Sequence, residues 1–140
     1  MKMTTPENKS DAHLILTELW AERPEAEAGR AIVDFLALHT DAVHISFSQL
    51  FAVADEVRIK DRAVVLNIIN YFTGADLNLL TTGFEYIEDE TVQPLDIEQV
   101  RAAKFNNINP VTGDEDSDIG KKIFMFFKPS QLAKTALVVD

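Results

Sequence analysis

Residues 58–74 read RIKDRAVVLNIINYFTG, and the organisation of the chain follows from how this stretch is phased. The spacing predicts a helix. Asp61 is placed to accept the orphan backbone N–H groups of a first turn, and Gly74 to take the left-handed residue after a last one. Between them Val65, Ile68, Ile69 and Phe72 fall at i, i+3, i+4 and i+7, the stripe that a helix buries. The opposite side carries Lys60, Ala63, Asn67 and Asn70, with Arg58 and Arg62 near the start and Leu66 beside Asn67. An apolar back and a small, polar, mildly basic front suit a helix that packs on one side and touches a partner on the other.

Working outward, the 140 residues are enough for one domain with a core of its own, and 46% of them are hydrophobic. The chain has no cysteine, which removes disulfides, thiolate metal sites and cysteine nucleophiles together. No apolar run is long enough to span a bilayer. The polar start MKMTTPENKSDAH lacks a signal-peptide apolar segment, so a cytoplasmic location is expected. Net charge is −10, from 13 basic and 23 acidic residues. By segment it is −6 over residues 1–57, +2 over 58–74, −9 over 75–120 and +3 over 121–140. A body this acidic repels a phosphate backbone at long range, and the basic islands are confined to the central helix and the last strand.

N-terminal to the central helix, residues 1–10 read as a loose tail. Ser10 or Asp11 is expected to cap a helix to about Glu22, with Ala12, Ile15, Leu16 and Leu19 as its stripe. Arg23-Pro24 breaks it, because the residue before proline is pushed out of the helical region. Pro24 suits the first turn of the next helix, to about His39, which buries Ile32, Phe35 and Leu36. Val43, His44 and Ile45 read as a short strand. Ser46 with Gln49 three residues on is a capping box for a short helix ending near Asp55. C-terminal to the central helix, residues 77–80 and 84–87 read as a hairpin around Thr81-Thr82-Gly83. Pro94 and Asp96 open a helix over about 97–104. The stretch 105–120, FNNINPVTGDEDSDIG, is an acidic loop. KKIFMFFK at 121–128 is a strand too apolar on both faces to stand alone, so it is expected to join the preceding sheet. Residues 131–139 form a last short helix or trail off.

This order resembles the winged helix-turn-helix superfamily over about residues 25–88. SFSQLFAVADEV stands for the second helix, DRAVVLNIINYFTG for the third and LNLLTTGFEYI for the wing. The resemblance implies an α+β fold: a winged-helix-like domain with an extra N-terminal helix and a C-terminal helix–loop–strand extension. The expected divisions are a tail at 1–10, a core at 11–88, and an extension at 89–140 packing on the same domain. A rival division makes 89–120 one insertion in the wing, with 121–128 as its return strand. In winged-helix proteins that bind DNA the third helix enters the major groove. On that precedent Asn67 and Asn70 would read adenine edges, and Arg58, Lys60 and Arg62 would meet phosphates, with Lys121 and Lys122 adding to them.

Other chemistry is poorly supported. Asp114, Glu115, Asp116 and Asp118 miss the EF-hand pattern, since the sixth position is Ile119 and the twelfth is Met125. His39 and His44 flank Asp41 across a helix end, which does not aim two rings at one ion. No nucleophile elbow, P-loop or dinucleotide fingerprint occurs. The expectation is therefore no catalytic residue, no cofactor and no metal. The expected partner is another protein, met through Arg58, Lys60, Arg62, Ala63, Leu66, Asn67, Asn70, Lys121 and Lys122. A DNA-binding regulator and an acidic nucleic-acid mimic are the alternatives. The run Phe124–Phe127 is either core or an aromatic side open to a partner or to a second copy of the chain.

Overall fold

The computed structural model describes residues 5–74 and 77–137. It is an α+β structure with helices α1 (Lys9–Trp20), α2 (Pro24–Leu38), α3 (Phe47–Glu56), α4 (Arg62–Phe72), α5 (Ile97–Asn106) and α6 (Gln131–Ala136). The strands are β1 (Leu80–Glu88), β2 (Thr91–Leu95) and β3 (Ile123–Pro129), in the order β2-β1-β3. The described residues divide into two compact units, one reaching Thr81 and resuming at Phe127, the other Thr82–Phe126. The chain passes between them within β1 and within β3.

In the first unit α2 packs against α1, α3, α4 and α6. Its Ile32, Val33 and Leu36 are buried with Leu16 of α1, Leu50 of α3 and Val65, Ile68, Ile69 and Phe72 of α4. The stripe expected of the central helix is thus its buried face. Three helix starts are fixed locally. Ser46 and Gln49 form a reciprocal capping box, Asp96 and Gln99 form another, and Asp61 accepts from the Ala63 N–H at 2.9 Å. Each satisfies donors that a first turn leaves without a helical partner.

Several expectations are corrected. The N-terminal helix begins earlier, at Lys9, because Asn8 accepts from the Asp11 N–H at 2.8 Å and so caps it in place of Ser10 or Asp11. Leu19 is 47% exposed and lies off that helix's buried stripe. Residues 43–45 form no strand; Ile45 alone makes an antiparallel bridge, to Phe127, and Val43 is exposed. Gly74 does not end α4 in a left-handed conformation. The C-cap is Thr73, whose N–H and hydroxyl both donate to the Ile69 carbonyl.

The hairpin lies further along than Thr81-Thr82-Gly83. β1 runs straight through that tripeptide, and the turn is at Asp89-Glu90, with Asp89 left-handed at φ 55°. From there β2 returns antiparallel, pairing Glu88 with Thr91 and Phe84 with Leu95. Gly83 serves a close approach instead of a turn. A Cβ there would lie 2.5 Å from Cζ of Phe126, whose ring covers it. The run 121–128 does supply a strand beside β1, as β3, starting at Ile123. Its side chains divide: Phe127 is buried, while Phe124 and Met125 are exposed.

The second unit has its own small core of Tyr86, Ala103 and Ile119, with Leu95 and Ile123 against it. Its polar counterpart is a ring of hydrogen bonds. Tyr86 Oη donates to Glu88 Oε1 at 2.5 Å, and Lys122 Nζ donates to Asp116 Oδ2 at 2.7 Å and lies 3.1 Å from Glu88 Oε2. The buried amide of Asn109 donates to Asp116 Oδ2 and to Tyr86 Oη. Asn109 Oδ1 accepts the N–H groups of Val111 and Thr112, which shapes the turn that follows. The acidic loop is therefore ordered by Asp116, and Lys122 holds that carboxyl down to about 2, with Asn109 and the Asp118 N–H contributing.

Candidate functional site

The exposed side of α4 is built by the helices around it. α3 ends in a Schellman arrangement, in which the Arg58 N–H donates to the Asp55 carbonyl at 2.9 Å and the Ile59 N–H to Ala54 at 3.0 Å. Arg58 therefore occupies the left-handed position, with φ 65°, where glycine is usual. Ile59 then packs against the core and the chain turns into Asp61 and α4.

Most of the polar groups on this side are already engaged. Lys60 Nζ donates to Asp55 Oδ1 at 2.7 Å. The Arg62 guanidinium lies over the Phe51 ring, 4.7 Å from its centroid. Asn67 is exposed as a residue, yet its Nδ2 donates to Glu25 Oε2 at 3.0 Å. Glu25, in the first turn of α2, is only 3% exposed. Asn67's hydrogen bond, Glu25's own backbone N–H and Arg23 hold this carboxyl below its ordinary value, against the opposing effect of burial. Its other oxygen, Oε1, is buried without a hydrogen-bond partner among the described residues. Arg58 makes no ion pair among the described residues, and Leu66 is 43% exposed. Ala63 and Asn70 are exposed as well.

Lys121 and Lys122 belong to the second unit. Lys121 is exposed in a single 3₁₀ turn, and Lys122 is committed to Glu88 and Asp116. The side chains that sequence reasoning missed are Glu25 and Asn109. Glu25 shows in the sequence only as an acidic residue near a helix start, and Asn109 as part of a turn-rich loop. Neither position reveals its distant partner.

Among the described residues no group of three or more His, Asp or Glu could hold a metal ion, and no helix is long and apolar enough to cross a membrane. His13 instead meets Asp34 at 2.8 Å, and the His39 ring lies against Phe35. No protein-family model matches the chain, and no match was found among curated proteins or solved structures.

Proposed function

We propose that this chain is a non-enzymatic, acidic protein–protein interaction module built on a winged-helix-like fold. The observation that carries the reading is that Asn67, the residue best placed on α4 to read a base edge, spends its amide on the buried Glu25 carboxylate. Turning it toward a base would strip a buried charge of its closest donor, at a cost of about 1–3 kcal/mol. Lys60 and Lys122 are similarly paired to carboxylates. What α4 offers freely is Leu66, Ala63 and Asn70, with Arg58 at its approach, a surface of the mixed apolar and cationic kind that protein partners use.

Arg58 adds support. A left-handed arginine costs about 1 kcal/mol relative to glycine. Its guanidinium makes no ion pair among the described residues that would offset this. Such strain fits a residue kept for what it touches outside the chain. The winged-helix-like reading is supported by chain order: α2, the Ile45 bridge, α3, α4, then β1, with Phe127 of β3 returning to Ile45. On that reading residues 89–120 are an insertion in the wing, with 121–128 as its return strand.

The test is a gel-shift titration with random duplex DNA at low and moderate salt, beside capture of partners from the source-cell lysate. The expected result is weak or absent DNA binding, with a captured protein lost on Leu66→Asp or Arg58→Gly. Tight DNA binding with a steep salt slope, weakened by Arg62→Ala, would replace this reading by the DNA-binding regulator. A captured partner that is a basic DNA-binding protein, released by competing DNA, would favour the nucleic-acid mimic.

A further inference from the structure

A second surface of the first unit is the trough between α2 and α3. Each helix lines it with one face at helical spacing. α2 contributes Ala31, Asp34, Phe35 and Leu38, and α3 contributes Gln49, Ala52, Val53 and Glu56. The open trough has a volume of about 600 Å³. Along α2 the lining covers seven residue steps, or about 10 Å, the length of two helical turns.

The chemistry of the trough is specific. Its floor is apolar, from Phe35 and Val53, and the alanines on each wall leave room for a backbone to come close. Leu38 stands at one end, 70% exposed, and buries little of itself within the chain. Each wall carries a carboxylate, Asp34 on α2 and Glu56 on α3; His39, at the end of α2, and Val57, after α3, complete the lining, which holds no lysine or arginine. Asp34 is shared with His13 and Lys9, whereas Glu56 makes no ion pair among the described residues.

We infer that this trough is a docking groove for a basic amphipathic helix of a protein partner. The inference rests on the reading of the chain as a protein-binding module and gives that module a second, chemically defined surface. An apolar trough two turns long suits the i, i+3, i+4, i+7 face of a helix. The Glu56 carboxylate, which makes no ion pair among the described residues, selects for lysine or arginine beside that face, whereas Asp34 is already met by Lys9 and His13. The same charge disfavours a second copy of this chain, because each copy carries −10 and would bring acidic walls toward an acidic body. A small ligand is disfavoured as well, since the trough is open and offers few convergent polar groups to orient one.

The experiment is selection of the full chain against a displayed library of 16-residue helical peptides. Leucine is fixed at i, i+3, i+4 and i+7, and the flanking positions are randomised. Enriched peptides should carry Lys or Arg at the flanks. Their affinity should fall about tenfold or more on Leu38→Ala, the loss expected for one leucine side chain no longer buried. It should fall several-fold at low salt on Glu56→Lys, with that difference shrinking as salt is raised. Both residues are exposed, so the variants should keep the wild-type melting temperature. Glu56→Lys should in turn improve binding of peptides with Glu at the matching flank. Acidic or neutral enriched flanks, no enrichment, or binders indifferent to both variants would each overturn the groove. A lysate partner that is still captured, and still lost on Leu66→Asp, would then leave the interaction module standing without it.

Discussion

Replacing Asn67 by alanine removes the one side-chain hydrogen bond that the described residues give to the Glu25 carboxylate, which is 3% exposed. Glu25 Oε1 lacks a hydrogen-bond partner among the described residues, and Arg23 stands 3.6 Å from Oε2 with its own side chain largely in solvent. A hydrogen bond to a charged group is worth about 1.5–3 kcal/mol, and a buried group left unpaired bears the upper part of that range. We therefore expect Asn67→Ala to cost about 2–3 kcal/mol, although the residue itself is on the surface. Urea unfolding followed by the fluorescence of Trp20, whose ring packs edge-on to Tyr71 in the same unit, measures it. The partner is identified by a double-mutant cycle. In a Glu25→Gln background the charge is gone, and Asn67→Ala should cost about 1 kcal/mol less or better. The pH dependence carries a sign as well. Glu25 is held below its ordinary value when folded, so its contribution is present above pH 4.5 and is lost as pH falls. Asn67→Ala removes the largest cause of that depression and should flatten the acid limb. A cost below about 0.5 kcal/mol, or strict additivity with Glu25→Gln, would refute the pairing and with it the main objection to DNA reading by α4.

The remaining predictions concern the core, the turn, the loop and metals. Phe72 is fully buried, and Phe72→Ala should cost about 3–5 kcal/mol in the same urea assay. Arg58→Gly should stabilise the protein by about 0.5–1 kcal/mol, because glycine takes the left-handed backbone without a Cβ penalty, while partner capture weakens. Asp116 is depressed to about 2, so its share of the stability of the second unit should be fully present above pH 3.8 and lost as pH falls toward 2; Asp116→Asn should remove this acid-dependent part, read by amide exchange of residues 107–122. Calcium, zinc or a chelator should leave the melting temperature unchanged, since only a ligand that prefers the folded state raises it; a shift of several degrees with calcium would mean the loop at 114–118 binds it.

Helix existence was legible throughout, and the cap and phase of α4 with it, because their causes are local; in α1 the cap fell to Asn8 and Leu19 lay off the stripe. Asp61, the Ser46–Gln49 box and Asp96 each act within three residues, and the Val65–Phe72 stripe needs only one helix to define it. The apolar run before Pro129 likewise announced a strand that joins a sheet, although Phe124 and Met125 stay exposed. Tertiary structure decided whatever depends on a partner far along the chain. A glycine among threonines looks like a turn until the Phe126 ring, 43 residues on, is seen to occupy the space of its side chain. The turn at Asp89-Glu90 carries no glycine or asparagine and relies on one left-handed aspartate. Val43–Ile45 has strand-like residues, but pairing is offered only at Ile45, where Phe127 arrives. The α4 face shows the same division. Its exposure was readable from periodicity, whereas the commitment of Asn67 to Glu25, 42 residues away, follows only from helix packing, because burial turns a surface amide into the required donor of a buried charge.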